Sequence, residues 1–286
     1  MFSDLKYIVK NHFPCVLCSI IYFILGGIFL GGSLYSYILA LVFYVVSIAI
    51  ALSPVGEKLF RLMNGIRSLE TNEEKEYINP IYVEVRRSVR RINAPIKGRI
   101  EICVIDKMHI NACTIGKRTV AVTKGALKAF SEEQLKGVIA HEFGHICGHD
   151  TVANLFLYIG SGYLYLYILV SNLIIAGINK YFYLNNKERS MGKSLWSFVC
   201  NIFKAILFFS TLLIKITLAF ESRKNEYEAD KMAYQLGYGE ELISALYLLE
   251  KMSLGDNSNF IQKMTASHPR TTARIGKLES YVSGRG

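Results

Sequence analysis

Apolar residues gather along the chain into four long blocks, Cys15 to Leu30, Leu34 to Leu52, Val152 to Ile178 and Phe198 to Phe220. Each approaches or exceeds the ~20 helical residues that cross ~30 Å of hydrocarbon. The first two contain no ionisable side chain, and the Gly31-Gly32-Ser33 link between them leaves room only for a tight helical hairpin. No small-residue cleavage site separates them, so the first block is read as a retained membrane segment and not as a signal peptide. The pattern predicts an N-terminal membrane hairpin (1–52), a first soluble section (53–150), a second membrane hairpin (151–220) and a second soluble section (221–286).

Within the first soluble section the polar-apolar period changes twice. Val83 to Ile92 has a helical period, with Arg86, Arg87, Arg90 and Arg91 at helical spacing. No aromatic residues interleave with these arginines, so a solvated or headgroup-facing surface fits them better than nucleic acid does. Arg99 to Ile105 and Arg118 to Thr123 are rich in Ile and Val and read as strands, with a turn at Gly116-Lys117 between them. Ser131-Glu132-Glu133 then reads as a helix start, a capping serine followed by acidic residues, with Leu135, Val138, Ile139 and Ile146 on the buried side. The second soluble section looks helical through Leu254 and turns irregular around Gly255-Asp256-Asn257-Ser258.

Composition agrees with a membrane protein. The 286 residues are 51% hydrophobic, yet the net charge is +10 and the mean hydropathy is +0.27. Soluble enzymes seldom combine these values. The six cysteines show neither zinc-ribbon nor disulfide-scaffold spacing, and Cys15-x-x-Cys18 lies in an apolar block where two small packed side chains are the simpler reading.

Candidate chemistry sits where the soluble sections meet the apolar blocks. In His141-Glu142-Phe143-Gly144-His145 a four-residue step puts both imidazoles on one helical face, so that two neutral nitrogens can reach one zinc ion, while Glu142 can take a proton from the attacking water. The bland reading is two buried helix histidines satisfied by other partners. A long metzincin pattern would place a third histidine at position 151, which is Thr151. His149 lies one turn beyond His145, but three successive ligands on a straight helix fan away from one tetrahedral point. Asn225-Glu226-Tyr227-Glu228-Ala229-Asp230 offers more. Glu226 and Asp230 share a helical face, so one can bind zinc while the other orients a ligand histidine. A solvated acidic helix start is the alternative.

These motifs resemble those of the HtpX-like membrane zinc metallopeptidases, relatives of the type I CAAX prenyl proteases. The shared residues are His141-Glu142-Phe143-Gly144-His145 with Asp150 downstream, and Ser222-Arg223-Lys224-Asn225-Glu226-Tyr227-Glu228-Ala229-Asp230. The resemblance implies a mainly α membrane protein with about four membrane helices and a zincin-like α+β catalytic domain split by the third and fourth of them. It implies one zinc ion per chain, with Glu226 of the E-x-x-A-D pattern as third ligand. Asn111-Ala112 resembles a substrate-binding N-A-aromatic stretch, although Cys113 stands where the aromatic residue is usual. His268-Pro269 with Arg274 resembles a motif whose histidine and arginine stabilise the reacting carbonyl oxygen.

The expected activity is endopeptidase cleavage of polypeptides, with membrane proteins as substrates and quality control as the role. A substrate strand laid beside Val120 to Thr123 would be gripped through its backbone. Processing of prenylated or other peptides, a catalytically silent zinc-binding scaffold and a small transporter are the competing readings, and Glu142 argues against a silent scaffold. Lys6, Lys10, Lys58, Arg61 and Arg67 flank the first hairpin and place both soluble sections in the cytoplasm. Lys180, Lys187, Arg189 and Lys193 in the loop between the later blocks, and Lys204 and Lys215 within the fourth block, resist a simple two-crossing arrangement. The sequence does not indicate an oligomeric state.

Overall fold

A computed structural model describes residues 13–94, 96, 98–152, 224–253 and 271–284, with isolated positions at 6, 9 and 10 and between 169 and 212. Helices α1 (Phe13–Phe29) and α2 (Leu34–Ala51) form the expected hairpin. Gly31 and Gly32 take φ of +114° and +70°, a region that side chains rarely enter, and this lets the chain reverse in three residues. Ser33 caps α2, and the Ser36 hydroxyl donates to the Leu30 carbonyl. Gly27 allows the Tyr37 ring to lie against α1, where a Cβ would come within 2.1 Å of it. Among the described residues α2 alone is long and apolar enough to cross a membrane, with mean hydropathy 2.2 and 17% of its residues buried. Most of the third and fourth apolar blocks lies outside the described residues. Their isolated described positions are helical, and Leu169, Leu173, Phe198 and Phe208 are exposed.

The chain turns sharply into α3 (Pro54–Met63), capped by Ser53 with Pro54 in the first turn. Next come β1 (Ile66–Ser68) and α4 (Asn72–Arg91), the latter opened by a reciprocal Thr71–Glu74 capping box. Ile78, Ile81, Tyr82, Val85 and Val89 form the buried stripe of α4, and the Tyr82 hydroxyl donates to the Ile100 carbonyl at 2.6 Å. Strands β2 (Glu101–Ile105), β3 (Ala112–Ile115) and β4 (Thr119–Thr123) complete a four-stranded sheet in the order β1-β2-β4-β3. β2 and β4 run parallel, and the other pairs are antiparallel.

This order corrects one expectation. Val120 to Thr123 cannot receive a substrate strand, because β4 is paired on both sides and all five of its residues are buried. The unpaired edge on that side belongs to β3, a strand absent from the sequence reading.

After the short α5 (Lys124–Ala129), α6 (Glu132–Gly148) runs through the core, started by a Ser131–Gln134 capping box. Leu135, Val138, Ile139 and Ile146 are all buried, and Phe143 stacks on Tyr82 with ring centroids 5.9 Å apart. Two glycines, two turns apart on α6, bring other helices to backbone contact. A Cβ on Gly137 would lie 2.4 Å from the Leu242 nitrogen in α8 (Gly239–Ser253), and one on Gly144 would lie 2.6 Å from Ala229 Cα in α7 (224–235). Helix α9 (Thr271–Val282) packs on α8 and buries Arg274, Ile275 and Leu278.

Candidate metal centre

The close approach at Gly144 and Ala229 puts Glu226, one turn before Ala229, opposite the histidine face of α6. His141 and His145 stack edge to face with centroids 4.7 Å apart and Nε2 atoms 3.2 Å apart. Glu226 Oε2 lies 3.3 Å from His141 Nε2, and its Oε1 lies 3.4 Å from His145 Nε2. Four ligands at ~2.0–2.1 Å from a tetrahedral zinc stand roughly 3.3–3.4 Å apart, so these separations suit one ion held by two imidazoles and a carboxylate. Among the described residues these three form the group whose ligand atoms converge in this way.

Each imidazole is fixed from behind. Asp230 Oδ1 lies 2.9 Å from His141 Nδ1, and Asp150 Oδ2 lies 3.1 Å from His145 Nδ1, which leaves both Nε2 atoms facing Glu226. His149 ends α6 in a left-handed conformation at φ 58°. That cap turns the chain, its ring nitrogen bonds the Cys147 carbonyl, and Asp150 comes back beneath His145. Sequence reasoning noted Asp150 but gave it no task; a carboxylate five residues beyond a ligand histidine is off the helical face until the cap is known.

Arg274 sits deeper. Its Nε and Nη2 donate to Asp230 at 2.9 and 2.6 Å, and Nη1 lies 2.8 Å from Glu226 Oε2. The guanidinium therefore faces the carboxylates of the site. His268 lies outside the described residues.

Glu142 is 6% exposed and receives a 2.7 Å hydrogen bond on Oε2 from the hydroxyl of Thr114 on β3. Thr114 was not legible as a site residue, since its strand was not. Asn111 is exposed just before β3; its backbone N–H donates to the Thr123 hydroxyl and its carbonyl accepts from the Thr123 N–H, both at 3.0 Å, so the edge strand starts beside the site.

Four carboxylates, Glu142, Asp150, Glu226 and Asp230, are thus gathered around the two imidazoles, and Arg274 pairs with two of them. Burial opposes a proton on His141, as does nearby Arg274, yet the bonds to Asp230 and Glu226 raise its proton affinity above the ordinary imidazole range. Burial likewise opposes protonation of His145, but Asp150 and Glu226 carry it to about 10. A site that draws protons so strongly also draws a metal dication, which would displace them. Burial pushes the neighbouring Cys113 and Cys147 thiols up to about 12, so neither supplies a thiolate near neutral pH.

Residues 79–282 match the family model described as peptidase family M48, which spans most of the chain and all of this site. The chain belongs to peptidase family M48. Protease HtpX of Shewanella halifaxensis (strain HAW-EB4) is 27% identical over 196 residues, covering 63% of this chain and 67% of that protein. Protease HtpX of Shewanella oneidensis (strain MR-1) is 27% identical over 199 residues with the same coverage. The crystal structure of S. mikatae Ste24p superposes with a TM-score of 0.51 at 19% identity, covering 97% of this chain. The chain spans 64% of the length of Ste24p, and the likeness is one of fold. This M48 protein is accordingly a peptidase similar in sequence to protease HtpX, mostly helical with a small sheet, in which His141, His145 and Glu226 could hold a metal ion.

Proposed function

We propose that the protein is a zinc endopeptidase that cleaves polypeptides at the cytoplasmic face of a membrane. His141, His145 and Glu226 would hold one zinc ion per chain. When bound there, zinc supplies a Lewis acid that polarises the scissile carbonyl and lowers the pKa of its water toward neutrality. The chain's own residues do the rest. Glu142, held by Thr114, takes the proton of the attacking water and returns it to the leaving amine. Asp230 and Asp150 keep the imidazoles turned toward the ion, and Arg274 steadies Glu226 and Asp230. His268 is the remaining candidate for contact with the carbonyl oxygen, six residues before Arg274 in sequence. A substrate segment pairs with the free edge of β3 near Asn111, which grips its backbone and tolerates varied side chains.

The observation that carries this reading is Glu142 pinned by the edge strand while its flanking histidines converge on Glu226. A silent scaffold would have no use for that pinned carboxylate. Thr151 donates to the Gly116 carbonyl, and Gly116 lies against Glu57 of α3, so the foot of the first hairpin meets the chain entering the third apolar block. That meeting supports a site at the membrane boundary; four membrane segments and a catalytic domain divided into 53–150 and 221–286 complete the proposal. Misassembled membrane proteins are the substrates this placement favours. The Ste24p-like fold keeps processing of prenylated peptides as a second reading.

The test is Glu142→Gln in the full chain, loaded with zinc in detergent and incubated with a membrane proteome while new termini are mapped. The variant keeps about one zinc per chain and loses cleavage by a factor of at least ~10², the lower end of what a positioned acid–base group contributes. Undiminished cleavage by the metal-replete variant would refute the mechanism.

A further inference from the structure

A cavity of about 770 Å³ lies between α3, β1 and the starts of β2 and β4. Its volume falls in the ~300–1,000 Å³ range of sites that take small molecules. Five cations line it: Lys58 and Arg61 from α3, Arg67 from β1, Arg99 before β2 and Arg118 before β4. The two acids in its wall have partners within that wall, for Glu57 accepts from the Thr119 hydroxyl at 2.7 Å and Glu101 pairs with Arg61 at 2.8 Å, which neutralises one of the five cations. Arg67 is held by Glu74 and Asp106. Lys58, Arg99 and Arg118 are exposed and form no ion pair among the described residues. The cavity thus has more positive charge than the protein uses.

Helix α3 shows what lies next to it. It follows α2 after a two-residue turn and divides into three sectors. Gly56, Glu57 and Phe60 face the protein, where Phe60 packs on the small cluster of Ile66, Cys103 and Ile115. Lys58 and Arg61 face the cavity. Val55, Leu59, Leu62 and Met63 share the remaining sector, spaced by four, three and one residues, and are 66, 44, 70 and 77% exposed, with Leu62 at the border where this sector meets the cavity wall. An exposed apolar sector beside a cationic one, joined directly to a membrane helix, is the pattern of a helix lying in the interfacial plane.

We propose that α3 lies in the bilayer interface and that the cavity behind it binds the phosphate headgroup of an anionic phospholipid, whose acyl chains run along the Val55–Leu59–Leu62 sector and α2. The inference rests on α2 being embedded in the bilayer and is independent of the metal site. Charge complementarity selects the headgroup: an anionic phosphodiester meets three uncommitted cations, whereas a zwitterionic lipid brings its own ammonium to the same place. Continuity of the exposed apolar sector with α2 selects a lipid over a free anion.

The experiment uses the full chain in nanodiscs of phosphatidylcholine containing a trace of spin-labelled phosphatidylglycerol, with spin-labelled phosphatidylcholine as reference. The motionally restricted fraction is read by electron paramagnetic resonance. The expected result is preferential restriction of phosphatidylglycerol, reduced roughly thirtyfold in relative association constant in Lys58→Gln/Arg118→Gln, in line with the attraction of each surface cation for anionic lipid. Lys128→Gln/Lys251→Gln, exposed on α5 and α8 and outside the cavity, keeps the wild-type preference. The second arm replaces lipid with inorganic phosphate and reads the phosphorus-31 linewidth with the protein in nonionic detergent. No preference in wild type, or an equal preference in the cavity variant, overturns the proposal. Phosphate broadening that the cavity variant loses, without any phosphatidylglycerol preference, also overturns it by making the cavity a free-anion site.

Discussion

Two arginines in this molecule each hold two carboxylates within 2.9 Å, Arg67 with a third, Glu70, at 3.9 Å, and the two clusters serve opposite ends. Arg67 on β1 bonds Glu74 of α4 at 2.6 Å and Asp106 beyond β2 at 2.8 Å, while Lys124 of α5 adds a second cation to Asp106 at 2.6 Å. Four elements are tied there, cations and acids are nearly balanced, and the Asp106 side chain is 48% exposed. Arg274 also bonds two carboxylates, but Glu226 and Asp230 are 1 and 2% exposed, and Glu142 and Asp150 add two further acids without a further cation. A balanced surface cluster is weakly stabilising and fastens the fold. A buried cluster with surplus negative charge is costly unless another positive group completes it. Burial together with charge imbalance therefore marks a metal centre, whereas the number of ion pairs does not.

The comparison breaks most visibly if Glu226 can be dispensed with. Glu226→Ala removes a ligand and is expected to abolish stoichiometric zinc binding in the full chain, measured by metal analysis after dialysis. Asp230→Asn leaves the ligand set intact and is expected to lower affinity by the ~10–100-fold typical of groups that orient ligands. Loss of metal in His149→Ala with retention in Glu226→Ala would show the wrong third ligand.

How far this was legible in the sequence depended on periodicity. α6 was readable because a capping serine, a helical apolar stripe and a four-residue histidine step all speak to one element, and its four predicted buried residues are buried. The remote Glu226 became specific only through family resemblance, since an acidic helix start carries no mark of the helix it will face. Gly144 opposite Ala229 is what brings it there, and a glycine in a helix does not name its neighbour. β1 and β3 were missed because strands of three and four residues are too short to show alternation. The place of β4 was misread although Thr119-Val120-Ala121-Val122-Thr123 is buried throughout, the mark of a central strand. Missing β3 also hid Thr114. The His268 expectation falls outside the described residues.

A smaller effect sharpens the role of that overlooked strand. Thr114→Val keeps the shape of the side chain but removes the hydroxyl that holds Glu142 at 2.7 Å. The expected outcome is a fall in kcat of about tenfold, near the ~1.4 kcal/mol that separates a well-held from a loosely held hydrogen-bonded group. KM and zinc content should stay near wild type, and Thr114→Ser should recover most of the rate because it restores the donor. A rise in KM with kcat unchanged would instead place Thr114 in substrate binding.

The smallest effect belongs to the surface cluster, and its pH dependence distinguishes it from the buried one. The Arg67 guanidinium, against an opposing contribution from burial, holds the Glu74 carboxyl down at about 2. An unfolded glutamate titrates near ~4.3, so the folded pKa is the lower one. The folded state then binds fewer protons between those values. Its advantage from this pair is fully present above pH ~4.3 and drains away as the pH falls through about 2. Glu74→Gln keeps an amide oxygen that can accept from the Thr71 and Glu70 N–H groups, as Glu74 Oε2 does now, and removes only the charge. With solvent screening of a pair near the surface, the variant should lose about 1 kcal/mol at pH 7. The difference from wild type should shrink through the pH 4 to 2 window, measured as the gap between unfolding midpoints in one detergent. Zinc content and cleavage at pH 7 should not change, because no residue of the cluster belongs to the metal centre. A gap that stayed constant with pH would mean that Glu74 acts through the helix cap and not through Arg67, and a loss of zinc would erase the distinction between the two arginine clusters.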